Sequence, residues 1–153
     1  IQQFILRILI LLHILRKKVN ILVIGEEQSG KSTVIKQLNE NIVIQNLNSP
    51  QLFKINHGKF KLLVTELPGS ILAHLDNIQD YLSKAEILIY VVDAQHPDIG
   101  MQRLKLLSVQ KAKCSVLVTK REQSPSFDFN SFQEKIERNG FKVFGQINEL
   151  IEW

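Results

Sequence analysis

The sequence has a single cysteine, Cys114, and this scarcity excludes an internal disulfide framework and a cysteine-rich metal site. Because Cys114 begins an apolar run, we expect its thiol to be buried in a hydrophobic core. Basic residues exceed acidic ones, with a net charge of +4, but apart from residues 16–18 they are spread along the chain. No direct binding of nucleic acid is therefore predicted. Internal repeats and low-complexity tracts are also absent.

The composition is that of a globular domain. A chain of 153 residues is about the size of one domain. With 44% hydrophobic and 22% charged residues it can bury an ordinary core, so global disorder is not expected.

The amino-terminal segment is rich in Ile and Leu, with the sequence IQQFILRILILLHIL in residues 1–15, and a basic cluster follows it. It is shorter than the about 20 residues that cross a bilayer, and Arg7 and His13 interrupt it. Because the chain begins without Met, we expect more of the segment upstream. We predict that residues 1–18 belong to a membrane anchor outside a globular domain of residues 19–153. The basic cluster would then place that domain in the cytosol.

Three other interpretations of this segment stay open: an interfacial helix, a signal-peptide core, and a helix buried against the domain. No small-residue cleavage site follows the segment, which argues against a removed signal peptide. The segment has little polar face for a soluble helix, and this favours membrane attachment.

A phosphate-binding loop is predicted at residues 25–32, which read GEEQSGKS and match G-x-x-x-x-G-K-[ST]. The apolar, β-branched run 19–24 predicts a strand directly before the loop, and residues 32–38 continue as a helix. Strand, loop and helix thus come in the order that the motif requires. The alternative, a Gly-rich turn that binds nothing, is disfavoured by this context.

Each residue type in this loop has a chemical task. Gly25 would let the chain leave the strand through a tight turn, and Gly30 would keep a Cβ away from the phosphate. Lys31 would reach the β- and γ-phosphates, and the Ser32 hydroxyl would ligate Mg²⁺. Backbone N–H groups at the helix amino terminus would surround the β-phosphate. The predicted phosphate-binding residues are Gly25, Glu26, Gln28, Ser29, Gly30, Lys31, Ser32, Thr33 and, further along, Gly69.

The tetrapeptide Glu66-Leu67-Pro68-Gly69 ends a predicted strand, where phosphate-loop GTPases carry D-x-x-G. In that motif the carboxylate holds Mg²⁺ through water, and the Gly N–H approaches the γ-phosphate. Glu66 is one methylene longer than Asp, so the metal shell would have to adjust. Without the upstream loop, an ordinary Pro-Gly turn would explain the tetrapeptide equally well.

Thr119-Lys120-Arg121-Glu122 follows another predicted strand, where the guanine-reading motif N-K-x-D would stand. The stem of Lys120 would lie over the base, and Glu122 would accept from the N1–H and amine of guanine. Thr119 and Glu122 replace the Asn and Asp of the motif. The predicted guanine-binding residues are Thr119, Lys120 and Glu122.

The remaining apolar patterns alternate between strands and helices. Asp93 ends the nearly continuous apolar strand 86–93, and we expect it to cap the following loop. Further strands are predicted at 51–56, 60–66, 115–118 and 141–144, and helices at 71–84, 99–112, 130–139 and 146–153. This order predicts an α/β fold, a doubly wound sheet with its ligand at the carboxyl ends of the strands.

The chain resembles the small GTPases and, within them, the family of signal recognition particle receptor beta subunits, which are ADP-ribosylation-factor-like. The resemblance spans nearly the whole chain and is carried by residues 16–18, 21–25, 29–32, 67–69, 90–94, 127–129 and 147–153. It implies a P-loop GTPase-like domain with GTP and Mg²⁺ as cofactors, and Ser49 as a metal ligand beside Ser32 and Glu66.

The same resemblance implies a role in protein targeting. The family is anchored in the endoplasmic reticulum membrane with its globular domain facing the cytosol. It binds the amino-terminal domain of the receptor alpha subunit, which docks ribosomes carrying signal peptides. Ser70 stands where that family has a residue that orients water, so we predict at most slow GTP hydrolysis and no catalytic residue. Gly145 follows the last strand without the S-A-K turn of the base site.

Two rival functions stay open. One is a cycling trafficking GTPase related to ADP-ribosylation factors, which would normally offer a myristoylated Gly that Ile1 does not supply. The other is a degenerate scaffold that has lost its nucleotide, which the altered Glu66 and Thr119 allow.

Overall fold

The structure, a computed structural model, describes residues 3, 5, 7, 16–45, 48–107 and 114–151. Most of the predicted anchor lies outside these residues, as do residues 108–112 of the predicted helix 99–112. In the described part of the chain, no helix is both long enough and apolar enough to span a bilayer.

A sheet of six strands organises the described residues, and its spatial order is β2-β3-β1-β4-β5-β6. Only β2 and β3 pair in antiparallel fashion, and the other neighbours are parallel. The strands are β1 (Lys17–Gly25), β2 (Gln51–His57), β3 (Phe60–Glu66), β4 (Ile87–Asp93), β5 (Cys114–Thr119) and β6 (Lys142–Phe144). The predicted α/β doubly wound sheet is therefore confirmed.

Helices cover both faces of this sheet. They are α1 (Lys31–Leu38), α2 (Gln79–Lys84), α3 (Pro97–Leu106), α4 (Phe129–Arg138) and α5 (Ile147–Ile151), with short 3₁₀ turns at Gly69–Ala73, Leu75–Ile78 and Arg121–Gln123. Because side chains alternate along a strand, β4 sends Tyr90 to one core and Ile89 to the other, and both are fully buried. Apolar burial of this kind stabilises the fold by about 1.5–3 kcal/mol per large side chain.

The two cores are separated by the sheet. One contains α3 and α4, which contribute Leu104 and Phe132. The other contains α1 and α5, which contribute Ile35 and Ile147. The predicted burial of the Cys114 thiol is confirmed, since the residue is 2% exposed in the first core.

Several predicted element boundaries were wrong. The predicted helix 99–112 runs from Pro97 to Leu106, because Leu107 has an extended backbone that ends it. The first strand begins at Lys17 and not at residue 19, because Lys17 and Lys18 pair with Phe60 and Lys61 of β3. The predicted helix 71–84 is broken at His74, whose φ of −128° and ψ of 75° are not helical. Two 3₁₀ turns precede a short α2 there.

The sheet brings the carboxyl ends of its central strands together. Val23 near the end of β1 is level with Glu66, which ends β3. Asp93, the last residue of β4, is level with Thr119, the last residue of β5. The loops that follow these strands therefore share one edge of the sheet, where ligands bind in open α/β folds.

Candidate nucleotide-binding site

The loop between β1 and α1 has the backbone conformation that its sequence predicts. Ser29 N–H donates to Glu26 O over 3.2 Å, and Val34 N–H donates to Gly30 O over 3.0 Å as α1 begins. Gly30 has φ +93°, a left-handed conformation that L side chains rarely adopt. Gln28 also lies in the left-handed region, with φ 58°. The loop thus turns sharply before the first turn of the helix.

Lys31 places its ammonium group inside this loop. The residue is only 7% exposed, and Nζ donates to Gly25 O over 3.0 Å and to Glu26 O over 2.7 Å. Burial lowers the pKa of Lys31, while Glu66, Glu26 and Glu27 act to raise it. A buried cation beside a turn of backbone N–H groups is suited to an anion.

Ser32 and Glu66 form the second polar pair of the site. Ser32 Oγ donates to Glu66 Oε1 over 2.9 Å, although the two residues are 34 positions apart. Glu66 is 6% exposed, and burial raises the pKa of its carboxyl, while the Ser32 hydrogen bond and Lys31 lower it. The other oxygen, Oε2, is buried and has no hydrogen-bond partner among the described residues.

This pair fits a magnesium ion. A hydroxyl and a carboxylate with one unpartnered oxygen form a hard oxygen donor set. Among the described residues no group of three or more His, Cys, Asp or Glu side chains could hold a metal by itself. The pair therefore suits Mg²⁺ that is also held by phosphates, and Ser32 and Glu66 would be two of its protein ligands.

The predicted phosphate and metal residues largely share one cleft of about 490 Å³, which we call the phosphate cleft. Its described lining comprises Glu27, Gln28, Gly30, Lys31, Ser32, Thr33, Asn48, Ser49, Gln51, Glu66, Pro68, Gly69 and Lys120. Three predicted phosphate residues are not in this lining. The backbone carbonyls of Gly25 and Glu26 accept hydrogen bonds from Lys31. Ser29 is buried within the loop, with 1% of its surface exposed.

A second cleft, of about 820 Å³, adjoins the first through Gly30, Thr33 and Lys120. All three predicted guanine-binding residues line it, so the structure brings them together beside the phosphate loop. Its described lining comprises Gly30, Thr33, Val34, Gln37, Glu40, Leu117, Val118, Thr119, Lys120, Arg121, Glu122, Gln123, Gly145, Gln146 and Ile147. We call it the base cleft.

Thr119 ties the base cleft to the phosphate loop. Its hydroxyl lies 2.6 Å from Ser29 O and 3.2 Å from Val92 O, and it donates to these carbonyls. The hydrogen of this hydroxyl is therefore engaged with the protein, and the contact of Thr119 with guanine stays a prediction. The threonine therefore fixes the end of β5 against Ser29 of the phosphate loop.

Lys120 pairs with Asp93, a carboxylate for which the sequence predicts only the capping of the following loop. Lys120 has a left-handed backbone, with φ 56°, and its Nζ lies 2.6 Å from Asp93 Oδ2. The expected cap is confirmed, because Asp93 Oδ1 accepts from Gln95 N–H over 2.8 Å. Asp93 ends β4, and Lys120 directly follows the neighbouring strand β5. These two positions at adjacent strand ends were the signal in the sequence for the ion pair.

A third cavity, of about 340 Å³, lies on the other side of the loop, between α3 and the turn Gly69–Ala73. Glu26 faces it and pairs with Arg103 of α3, with 3.4 Å between Oε1 and Nε. The two side chains form an ion pair but no hydrogen bond, since Glu26 Oε1 has no hydrogen-bond partner among the described residues. This pair connects the loop to α3.

Comparison with known proteins agrees with this geometry. The model of the ADP-ribosylation factor family matches residues 5–142. No curated protein matches the chain. Among solved structures, the G domain of the T. maritima FeoB iron transporter is similar, with a TM-score of 0.69 and 19% identity, over 88% of this chain and 95% of that one.

A second similar structure is the Methanosarcina barkeri Roco2 RocCORdC bound to GDP. It has a TM-score of 0.61 and 21% identity over 84% of this chain and 42% of that one. At these identities the likeness concerns the fold, which is that of a P-loop GTPase G domain.

Proposed function

Because the chain belongs to the ADP-ribosylation factor family, we propose that it binds GTP with Mg²⁺ across the phosphate and base clefts. Membership of this family supports a GTP-binding function. One observation carries the site: the cleft that holds the Lys31 ammonium and the Ser32–Glu66 pair adjoins the cleft lined by Lys120 and Glu122. Phosphate, metal and base chemistry thus meet at one sheet edge.

In this proposal Lys31 and the N–H groups of the loop hold the β- and γ-phosphates. Ser32, Ser49 and Glu66 hold Mg²⁺, which would neutralise the phosphate charge when bound. Gly69, which lies against the backbone of Glu27, approaches the γ-phosphate. All the residues named here line a single cleft: Glu27, Lys31, Ser32, Ser49, Glu66 and Gly69.

Slow hydrolysis is part of the proposal. Ser70, next to Gly69, is exposed, and its short side chain does not extend far enough to orient an attacking water. The described lining of the phosphate cleft contains no arginine. An arginine supplied to such a site is worth about 10³–10⁵ in rate, so its absence predicts very slow turnover in the isolated protein.

We further propose that the protein is a membrane-anchored subunit of a signal recognition particle receptor. Support comes from the apolar residues 1–15, the basic cluster after them, and the order of motifs that follows. The GTP form would bind the alpha subunit and through it the ribosome. The membrane would be that of the endoplasmic reticulum, with the nucleotide site facing the cytosol.

A binding experiment tests this proposal. The purified protein, loaded with GTP, GDP or no nucleotide, is offered the amino-terminal domain of the alpha subunit, and single-turnover hydrolysis is measured in parallel. Only the GTP form should bind, because the γ-phosphate orders Gly69 and the loop before β2. Equal binding in all three states would point to a nucleotide-free scaffold. Brisk hydrolysis without a partner would point to a cycling trafficking GTPase.

Membrane attachment is tested separately by carbonate extraction of membranes from cells that express the full chain with its upstream residues. The protein should stay in the pellet, and removal of residues 1–16, which precede β1, should release a folded domain. Release of the full chain by high salt alone would contradict an inserted anchor.

A further inference from the structure

The base cleft offers guanine an acceptor, and several of its donors are engaged within the protein. Guanine presents the donors N1–H and N2–H on one edge and the acceptors O6 and N7 on another. Glu122 lines the cleft and suits the donor edge. The acceptor edge needs a hydrogen-bond donor from the same cleft.

Three donors in the lining are already engaged within the protein. The Thr119 hydroxyl donates to Ser29 O over 2.6 Å. The Lys120 ammonium is held 2.6 Å from Asp93 Oδ2. The Gly145 N–H, in the segment after β6, donates to Glu149 Oε2 over 3.2 Å. The side-chain donors that remain in the described lining belong to Thr33, Gln37, Arg121, Gln123 and Gln146. Among them only Arg121 has a guanidinium, whose planar fork of N–H groups matches the two acceptors O6 and N7.

Arg121 is placed to be that donor. It lines the base cleft, and its guanidinium carbon lies over the ring of Phe129, 3.9 Å from the ring centroid. Its Nη1 lies 2.5 Å from the point that a Cβ on residue 145 would occupy, so it fills the space beside Gly145. Within the described part of the chain the guanidinium makes no hydrogen bond, and its N–H donors remain open to a ligand.

We propose that Arg121 is a specificity-determining residue that donates to O6 and N7 of guanine. This inference rests on the proposed binding of GTP. A bidentate arginine is the commonest contact by which proteins read these two atoms of guanine. Phe129 holds the guanidinium in place, and the adjacent Glu122 accepts from the opposite edge. Arg121 thus donates to the acceptor edge of guanine, to which Gly145 cannot donate because its N–H is bonded to Glu149.

The test compares GTP with 7-deaza-GTP, in which a C–H group replaces N7, by isothermal titration calorimetry. The wild-type protein should bind GTP about tenfold more tightly than 7-deaza-GTP. Arg121→Ala should bind both nucleotides with equal affinity. Arg121→Lys should also lose most of the preference, because an ammonium lacks the planar fork.

Arg138→Ala is the matched control, because Arg138 is an exposed arginine of α4 that pairs with Glu134 and does not line the cleft. It should keep the wild-type ratio. A wild-type protein that binds both nucleotides equally, or an Arg121→Ala variant with the wild-type ratio, would overturn the role of Arg121 alone. Failure of the wild-type protein to bind GTP would overturn the proposed function as well.

Discussion

Lys120 and Asp93 join the ends of two neighbouring parallel strands, with 2.6 Å between Nζ and Oδ2. The side chain of Lys120 is 25% exposed and that of Asp93 is 12% exposed, so water screens the pair only partly. Asp93 is also fixed by the N–H of Gln95. The lysine of the base cleft is therefore positioned before any nucleotide arrives.

Breaking this pair should cost stability. Asp93→Asn keeps the shape of the side chain but removes its charge. It should lower the free energy of unfolding by about 1–2 kcal/mol, a value between the losses expected for surface and for buried ion pairs. Urea denaturation measures the change. A double-mutant cycle with Lys120→Met should give a coupling energy of about 1 kcal/mol. Asp98→Asn, an exposed acid in the first turn of α3, is the control and should change stability by a few tenths at most.

Binding of GTP should depend on Lys31. Lys31→Ala should weaken it at least tenfold, because charge-assisted bonds to phosphate are worth about 1.5–3 kcal/mol each. Calorimetric titration, together with analysis of nucleotide released on denaturation, measures the loss. Lys36→Ala, at an exposed position in the last turn of the same helix, should bind normally. Unchanged affinity in Lys31→Ala would refute the phosphate site, and a preference for ATP would refute the assignment of Lys120 and Glu122.

Gly69 should not tolerate a side chain. A Cβ at this position would lie 2.3 Å from the backbone nitrogen of Glu27, so the turn would have to move away from the phosphate loop. We expect Gly69→Ala to lower the free energy of unfolding by about 1–3 kcal/mol, as overpacking does. Ser70→Ala alters the exposed neighbour and should be nearly neutral. Equal urea midpoints for the two variants would contradict the close approach of Gly69 to the loop.

Cys114 should make stability fall at high pH. Burial raises the pKa of its thiol from 9.0 to about 12. Between these values the unfolded chain loses the thiol proton while the folded chain keeps it, so the folded state binds more protons and its stability falls as pH rises. The slope approaches about 1.4 kcal/mol per pH unit for one proton.

Cys114→Ala isolates this contribution, because both proteins share every other titrating group. Below pH 9 the two stabilities should differ by a constant amount. Above it the wild-type protein should lose stability more steeply than the variant. Parallel curves from denaturation at each pH would show that the thiol is not protected by burial.

Much of the fold was predictable because its signals are local. The run 19–24 before the loop, the nearly continuous apolar strand ending at Asp93, and the motif around Lys31 each depend on neighbouring residues only. Strands buried on both faces are typical of parallel sheets with helices on each side. These patterns therefore indicated both the doubly wound sheet and the edge where its ligand binds.

The errors arose where distant contacts or backbone angles decide the outcome. The apolar spacing in 71–84 predicted one helix, but periodicity does not reveal the non-helical φ and ψ of His74. The hydrogen bond from Thr119 to Ser29 spans 90 positions, and the ion pair of Lys120 spans 27. Such contacts follow from strand order, which a local pattern does not contain.

Ser29 and Thr119 are in contact but lie 90 positions apart in the sequence, and this has a consequence for the order in which the protein folds. The first strand pairs with β3 and β4, and both connections must close large chain loops before the sheet is stable. The carbonyl of Ser29 receives its hydroxyl donor only after β5 has emerged from the ribosome. We therefore expect a nascent chain stalled before β5 to retain no labelled GTP, even though its phosphate loop has already been synthesised.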